Sequence, residues 1–492
     1  MALLESSFSI DEEIDKKKLE TRLTIKDDDD EEAAADDDIV TASLMKKLQD
    51  SAAAAADELA AAAAAAADKL ASSLIKKLEV GHRLPSSQPS IFKIPDNLRV
   101  VNEKSYIPQT VSIGPIHHKK SERYETMENH KFHYLQQFLN HKGPSTTLQD
   151  CAKACVRMLK RYEEEARECY ADDIKLKSDE FVEMMVLDGC FIVELFLRKW
   201  RPELRGSQYD PLFDQIYLLN MVREDLVLLE NQLPFFVLDA LFNFINNTSH
   251  SQKLWEISFL NLALKFFNRK DKDASTLENP NHLLDLKYKT TIPSQIRAND
   301  GESLGRDGAP RTLPTATQLR EAGVKFKAAQ PGTHLLDIKF QNKTLEIPTI
   351  KVEDQTERLF RNMIAYEQCC GERSYMAHYF SVIDDLISSP SDVALLKRKG
   401  IVTNWLGDDE EVSNMVNKMG KNVYVSSKHF HYKDLYKQLN DHYHTPWHRR
   451  QAKLKHDYFN SPWSLVAFLA AFAVLICTFI QTVCSIVQTV KH

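Results

Sequence analysis

Residues 180–200 read EFVEMMVLDGCFIVELFLRKW, and apolar side chains recur along this run at helical spacing. An α-helix brings positions three and four apart onto one face, so the run predicts a helix packed into a core. The same spacing marks residues 127–139, 148–170, 215–246 and 252–267. A chain of 492 residues can bury a sizeable core. We therefore expect a mainly α, irregular helical domain.

The second half of this domain adds a small β element to further helices. Residues 335–352 read LLDIKFQNKTLEIPTIKV, which predicts a β-hairpin of two strands around Asn342-Lys343. Helical spacing returns over residues 353–388, 392–399 and 409–418. Residues 287–312 are polar, with three glycines and two prolines, and are expected to form a loop-like insertion. The helical body is thus assigned to residues 91–460.

The C-terminal region contains a long apolar run. Residues 464–487 read SLVAFLAAFAVLICTFIQTVCSIV, 24 positions without a charge. As a helix they would extend about 36 Å, enough to cross a hydrocarbon layer of about 30 Å. We predict a single transmembrane helix over residues 463–490, and the alternative is a buried core helix. The residues expected to form the anchor are Trp463, Leu465, Phe468, Leu469, Phe472, Leu475, Ile476, Phe479 and Ile480.

The flanking charges indicate an orientation for that helix. Arg449, Arg450, Lys453 and Lys455 precede it, and only a short tail follows it. Basic residues favour the cytosolic side of a membrane, so the body is expected to face the cytosol. Residues 1–15 lack the basic start and apolar stretch of a signal peptide. The expected localisation is a single-pass membrane protein.

Residues 1–90 differ in composition from the body and form an acidic, Ala-rich arm. The acidic run 27–38 is expected to be disordered. Alanine tracts within residues 41–80 predict one or two exposed helices. They lie between two similar phrases, SLMKKL at 43–48 and SLIKKL at 73–78. These phrases are typical of short docking faces for a partner helix or a membrane surface, or the arm is a simple helical spacer.

Charge and cysteine usage exclude some classes of protein. Residues 1–40 hold 15 acidic and 5 basic side chains, a balance of −10, so the net charge of −7 leaves +3 for the remainder. A nearly neutral body gives no indication of a nucleic-acid partner. The eight cysteines show no compact disulfide framework or metal-ligand spacing, and we expect reduced thiols.

Ordered phrases along the body resemble plant proteins grouped as domain of unknown function 247. They include VSIGPIHH at 111–118, MENHK at 127–131, LDGCFI at 187–192, DLVLLENQLPFF at 225–236 and TATQLREAGVKF at 315–326. Lys119 and Lys120 depart from the family, in which glycine often follows the paired histidines. The motif positions carried by the resemblance are Gly114, Pro115, His117, His118, Asp188, Glu230, Asn231, Gln232, Pro234 and Gly323.

The resemblance implies a plant-restricted protein with a C-terminal membrane anchor and no established catalytic activity. Some grass members of the family are implicated in self-incompatibility. The resemblance covers the chain from about residue 91 to its end, so the N-terminal arm lies outside it.

Several motifs contain residue types that serve catalysis or metal binding in other proteins. Ser303 lies in a GESLG pattern, but polar residues flank it where a hydrolase needs a strand and a helix. His117 and His118 could supply ligands or a base only with further groups such as Glu128. Asp188 and Glu230 could form an acid–base pair if they approached each other.

The alternative for these buried polar residues is structural. Glu230, Asn231 and Gln232 lie just before Pro234, which breaks a helix and leaves backbone groups to satisfy. No catalytic residue, cofactor, metal or small-molecule ligand is predicted.

Two functions therefore remain from the sequence. The preferred hypothesis is a membrane-anchored protein-interaction or recognition module that binds another protein through residues 41–80 or 287–312. The alternative is an uncharacterised membrane-bound hydrolase-like enzyme, which requires Glu128, His117, His118, Asp188 and Glu230 to converge on a pocket. Three glycosylation triplets, at Asn246, Asn247 and Asn342, can report membrane topology.

Overall fold

The computed structural model describes residues 34–79, 88–119, 121–143, 146–206, 209–247, 253–268, 277, 279–292, 312–371, 374–425, 430–445 and 462–491. The chain divides into two compact units, residues 1–84 and residues 85–492, and each is described separately. Most of the described residues are helical, which confirms the mainly α class.

The first unit contains one long helix, α1, over Ala34–Glu79. The prediction of one or two exposed helices is confirmed, and the structure has one helix, which contains both alanine tracts. The acidic run 27–38 was predicted to be disordered, and that is wrong for residues 34–38, which form the start of α1.

The first half of the body is built around one central helix. The helices here are α2 Asp96–Arg99, α3 Glu125–Asn140, α4 Leu148–Arg161, α5 Glu163–Glu168, α6 Ser178–Trp200, α7 Pro211–Asp214, α8 Ile216–Asp225, α9 Phe235–Asn246, α10 Phe259–Phe266 and α11 Leu283–Thr291. Helices α3, α4, α9 and α10 all pack against α6. Because α6 is covered on several sides, its side chains are buried almost continuously from Phe181 to Arg198.

The second half of the body adds two small sheets to further helices. Its elements are α12 Ala316–Glu321, β1 Lys325–Ala328, β2 Lys339–Gln341, β3 Thr344–Ile347, β4 Ile350–Val352, α13 Asp354–Cys370, α14 Tyr375–Leu386, α15 Pro390–Arg398, β5 Val402–Asn404, α16 Asp409–Met419 and α17 Lys433–His444. One sheet has the order β1-β3-β2 and the other pairs β4 with β5.

The predicted hairpin is confirmed and its turn explains its position. Strands β2 and β3 are antiparallel, with Phe340 opposite Leu345. Asn342 and Lys343 join them with φ values of 50° and 61°. Positive φ at both turn residues is the geometry that matches the twist of a two-residue hairpin. The parallel pairings of β1 with β3 and of β4 with β5 were not predicted.

Several predicted helical runs are shorter or interrupted in the structure. The run 215–246 is split by a non-helical segment at 226–234, and the run 252–267 becomes helical only at Phe259. The polar insertion was expected from residue 287, but α11 continues to Thr291. Tyr288 explains this, because its buried ring faces inward and its hydroxyl donates to Glu367 Oε1 over 2.7 Å. Residues 293–311 of the insertion, including Ser303, lie outside the described residues.

The C-terminal run forms helix α18 over Pro462–Lys491. Residues 469–486 within it are long and apolar enough to cross a membrane, and none of these side chains is buried. The alternative of a buried core helix is therefore not what the structure shows. Trp463, Leu465 and Phe468 belong to the same helix.

The eight cysteines of the chain are free thiols, and two of them, Cys477 and Cys484, lie in α18.

Candidate functional site

The segment 226–234 lies between α8 and α9 and is almost completely buried. Its leucines at 226, 228, 229 and 233 pack into the core, and Pro234 precedes the first turn of α9. Because this backbone is buried and not helical, its N–H and C=O groups need polar side chains as hydrogen-bond partners. Glu230, Asn231 and Gln232 do so, each with 1–2% of its surface exposed. We call residues 226–234 the buried loop.

Gln232 closes the buried loop on itself. Its side-chain Nε2 donates to the carbonyl oxygens of Leu226 and Leu228 over 2.8 and 2.7 Å. Its Oε1 accepts from the backbone N–H of Leu284, at the start of α11, over 3.2 Å. The side chain thus bonds two carbonyls of the buried loop and fixes the loop against a second helix.

Asn231 joins the buried loop to the irregular segment that precedes the body's first long helix. Its Oδ1 accepts from the backbone N–H of Ile113 over 2.7 Å. Its Nδ2 donates to the carbonyls of Val111 over 3.0 Å and Asp225 over 2.9 Å. Residues 111 and 113 are buried without strand partners, so this amide replaces a sheet neighbour for them.

Asp225, at the end of α8, binds the same irregular segment at residues 109–111. Its Oδ1 accepts from the backbone N–H of Gln109 over 2.9 Å. Its Oδ2 accepts from Thr110 over 2.6 Å and from Val111 over 2.9 Å. Arg358 Nη2 of α13 also donates to Oδ1 over 2.7 Å, which balances the buried charge.

Glu230 binds the start of the body. Its Oε1 accepts from the backbone N–H of Ile94 over 2.8 Å and from the guanidinium of Arg99. Its Oε2 lies 3.1 Å from Nε2 of His117. Burial by itself raises the pKa of Glu230, but the bonds from His117 and Ile94 and the charge of Arg99 outweigh it and lower that pKa below its usual value.

Asp188 of α6 forms a second ion-pair centre with Lys131 of α3. Lys131 Nζ donates over 2.6 Å to Asp188 Oδ1, to Glu128 Oε1 and to the carbonyl of Ser112. Asp188 Oδ2 accepts from the backbone N–H of Gly114 over 2.9 Å. Lys131 is 1% exposed, so three acceptors around it offset the cost of burying its charge.

Gly114 is required by the close packing at this point. Its φ is +72°, and a Cβ built on it would lie 2.3 Å from the carbonyl oxygen of Gln232. Pro115 and His117 follow Gly114 in the chain, and the His117 side chain contacts Glu230 of the buried loop. His118 is only half-buried, and burial lowers the pKa of its imidazole.

Gly323 belongs to a different part of the fold. It follows α12 with φ +89°, and the backbone N–H of Val324 donates to the carbonyl of Leu319 over 2.9 Å. This is the helix-ending arrangement that favours glycine, and it directs the chain into β1.

Three residues of this network, Lys131, Arg358 and Asn362, are not among the site residues predicted from the sequence. Lys131 shares one helical face with Met127, Tyr134 and Phe138, and that spacing places it on the core side. Arg358 and Asn362 come from α13, and Asn362 Oδ1 accepts from the N–H of Leu229 over 3.0 Å. For these two no local signal was available, since their partners are more than a hundred residues away in sequence.

The catalytic alternative required a pocket at these residues. The structure instead assigns the oxygens of Asp188 and Glu230 to backbone N–H groups and cations, in two separate centres. The cavity described below is lined by α4, α5 and α9, and none of the five proposed catalytic residues lines it. Within the described ranges no group of three His, Cys, Asp or Glu side chains is placed to hold a metal ion.

Replacing Gly114 by alanine should be much more damaging than the same change at Gly143. Both glycines have positive φ, but a Cβ at Gly143 meets nothing within 4 Å. We expect Gly143→Ala to lower the free energy of unfolding by about 1 kcal/mol, and Gly114→Ala by about 3 kcal/mol or more because it also meets a backbone oxygen. Urea titration of the detergent-solubilised chain measures both. Equal losses would show that the buried loop yields to the added methyl group.

Glu230→Gln should destabilise the body in a pH-dependent way. The folded-state pKa of Glu230 is lowered, so its ionised form stabilises the fold above the unfolded pKa of about 4.3, and this is lost as the pH falls. We expect a loss of about 3 kcal/mol near pH 7, and a smaller difference from the wild type below about pH 4. Unfolding titrations across pH, with Glu183→Gln on the exposed side of α6 as control, test it. A pH-independent difference would contradict the assigned charge pairing.

Comparison with known proteins identifies the family of this chain. The profile of a plant protein family of unknown function, DUF247, matches residues 91–477. The chain is 29% identical over 425 residues to the UPF0481 protein At3g47200 of Arabidopsis thaliana, covering 81% of this chain and 86% of that protein. It is 24% identical over 494 residues to the putative UPF0481 protein At3g02645 of the same plant, covering 81% and 90%. No solved structure matches the chain. The chain belongs to the plant DUF247 family of unknown function, as its ordered motifs predicted.

Proposed function

We propose that this protein is held to a membrane by α18, with its body on the cytosolic side, and that it works as a protein-interaction module. The observation that carries the anchor is the exposure of residues 469–486, an uncharged apolar run. Phe472, Leu475 and Phe479 expose 55%, 67% and 71% of their surfaces. Each large apolar side chain gains about 1.5–3 kcal/mol on leaving water, so a bilayer is a strongly favourable environment for this helix.

The orientation rests on the charges that flank α18. Arg449, Arg450, Lys453 and Lys455 precede the helix in sequence, although they lie outside the described residues. Basic residues are retained on the cytosolic side during insertion. This supports a cytosolic body and a cytosolic partner.

The interaction role is supported by the surface of α1. Leu44, Leu48, Leu59, Leu70 and Leu74 are all exposed, and at 100° per residue they fall on one side of the helix. Asp50, Asp57 and Asp68 project from the opposite side. An apolar stripe this long, with no partner among the described residues of its own unit, is typical of a helix that pairs with another protein.

The membrane orientation can be tested in sealed microsomes. We expect added protease to digest the body and Asn247 and Asn342, both exposed, to stay unglycosylated. Asn246 is a poor reporter, because its side-chain amide is buried and bonded to the backbone of Trp255. As a control, the same chain directed into the lumen by a signal sequence should be modified at Asn247 and Asn342. A protected, glycosylated body without that signal would refute the orientation.

The interaction role can be tested on the apolar side of α1. Leu48, Leu59 and Leu70 recur every eleven residues, three turns of helix, and replacing all three by glutamate should abolish cross-linking of the full chain to its partners in membranes. The matched control replaces Ala54, Ala61 and Ala65 by glutamate, which adds the same charge on the side that already bears Asp50 and Asp57. If both variants retain the same partners, α1 is not the docking face.

A further inference from the structure

A surface groove lies beside the body's central helix, where α9 meets α4 and α5. Its volume is about 510 Å³, within the range of known ligand sites. Met158, Tyr162 and Glu165 line one side, and Phe236, Asp239 and Phe244 line the other. None of these residues takes part in the buried polar network described above, so the groove is a separate feature of the body.

The walls of the groove offer aromatic surfaces. The rings of Tyr162 and Phe236 meet edge to face, with centroids 5.8 Å apart and planes at 60°. At the other end Lys142 lies 4.8 Å from the centroid of Phe244 and donates to the carbonyl of Asn247 over 2.8 Å. Lys142 shows that the aromatic lining already accommodates one ammonium group by a cation–π contact.

The carboxylates of the groove lack cationic partners in the part of the chain that the structure describes. Asp239 is half-buried and accepts one hydrogen bond there, from Nδ2 of Asn243 in the next turn over 2.9 Å. Burial raises the pKa of Asp239, and the bond from Asn243 only partly offsets it. Glu165, at the exposed rim, has no ion pair among the described residues. Two acidic groups beside aromatic rings are complementary to a cation that carries apolar surface.

We propose that this groove binds a lysine or arginine side chain of a partner protein, with apolar residues on either side of it. The cation would lie between Asp239 and Glu165, over the ring of Phe236, and the flanking apolar residues would contact Met158 and Phe244. This inference rests on the proposed interaction role and gives that role a recognition surface on the body, separate from α1.

The combination of apolar and acidic side chains in the groove lining favours a peptide segment over a free amine. A small polyamine would satisfy the carboxylates but would leave the apolar side chains at both ends uncovered. A side chain presented by a peptide brings its own apolar neighbours, so charge and apolar contact are satisfied together.

The test uses two labelled peptides and the full-length chain in nanodiscs. One peptide is Ac-Gly-Leu-Lys-Leu-Gly-NH2, and the other carries an acetylated lysine, which keeps the shape and removes the charge. Fluorescence anisotropy should show the charged peptide binding at least tenfold more tightly. Asp239→Asn should weaken its binding about tenfold and Glu165→Gln several-fold.

The matched control is Glu164→Gln, one position from Glu165, exposed and outside the groove. It should bind the charged peptide as the wild type does, and unchanged thermal unfolding of all variants should exclude a folding defect. Equal binding of both peptides, or full binding by Asp239→Asn, would overturn the proposal. Competition by putrescine at the affinity of the peptide would overturn the assignment to a protein segment. None of these results touches the anchor or α1, so the two proposals fail separately.

Discussion

The body depends on one constraint, which is that buried backbone without regular structure must still find hydrogen-bond partners. The chain from Ile94 to Gly114 enters the core at several points without forming a long helix or a sheet. Its N–H groups at Ile94, at residues 109–111 and at residues 113 and 114 are satisfied by side chains from elsewhere in the fold. Asp225, Glu230, Asn231 and Asp188 supply those acceptors, and two of the four, Glu230 and Asn231, belong to the buried loop 226–234.

This constraint explains why carboxylates occur in otherwise apolar segments. A carboxylate accepts several hydrogen bonds at once, which suits a chain that presents consecutive N–H groups, as residues 109–111 do to Asp225. The negative charge must then be balanced, because an unpaired buried ion costs several kcal/mol, on the order of 3–5 when one partner is lost. Lys131 balances Asp188 and Arg358 balances Asp225, so helix α3 is tied to α6 and helix α13 to the end of α8.

The sequence predicted the helical body, the hairpin and the family because those signals are local. Helical spacing, the Asn342-Lys343 turn and the ordered motifs are each contained in short segments. The parallel strands were missed because alternation over only three or four residues is too short to identify a strand, and because their partners lie elsewhere in the sequence, as with β4 and β5. The choice between catalytic and structural roles for Asp188 and Glu230 was open for the same reason, since it depended on amides 74 and 136 positions away. The groove at Asp239 joins helices far apart in sequence and left no pattern to find.

The same bonds that hold the core also restrict where this protein can recognise a partner. Both oxygens of Asp225 are occupied, as are those of Glu230 and Asp188, so these motif residues have no free acceptor to offer at the surface. Recognition therefore has to use groups outside the buried network. In the described part of the body, Asp239 and Glu165 are acidic groups beside an aromatic-lined groove that form no ion pair there. The proposed binding surface follows from this division, in which one set of carboxylates stabilises the fold and another remains accessible.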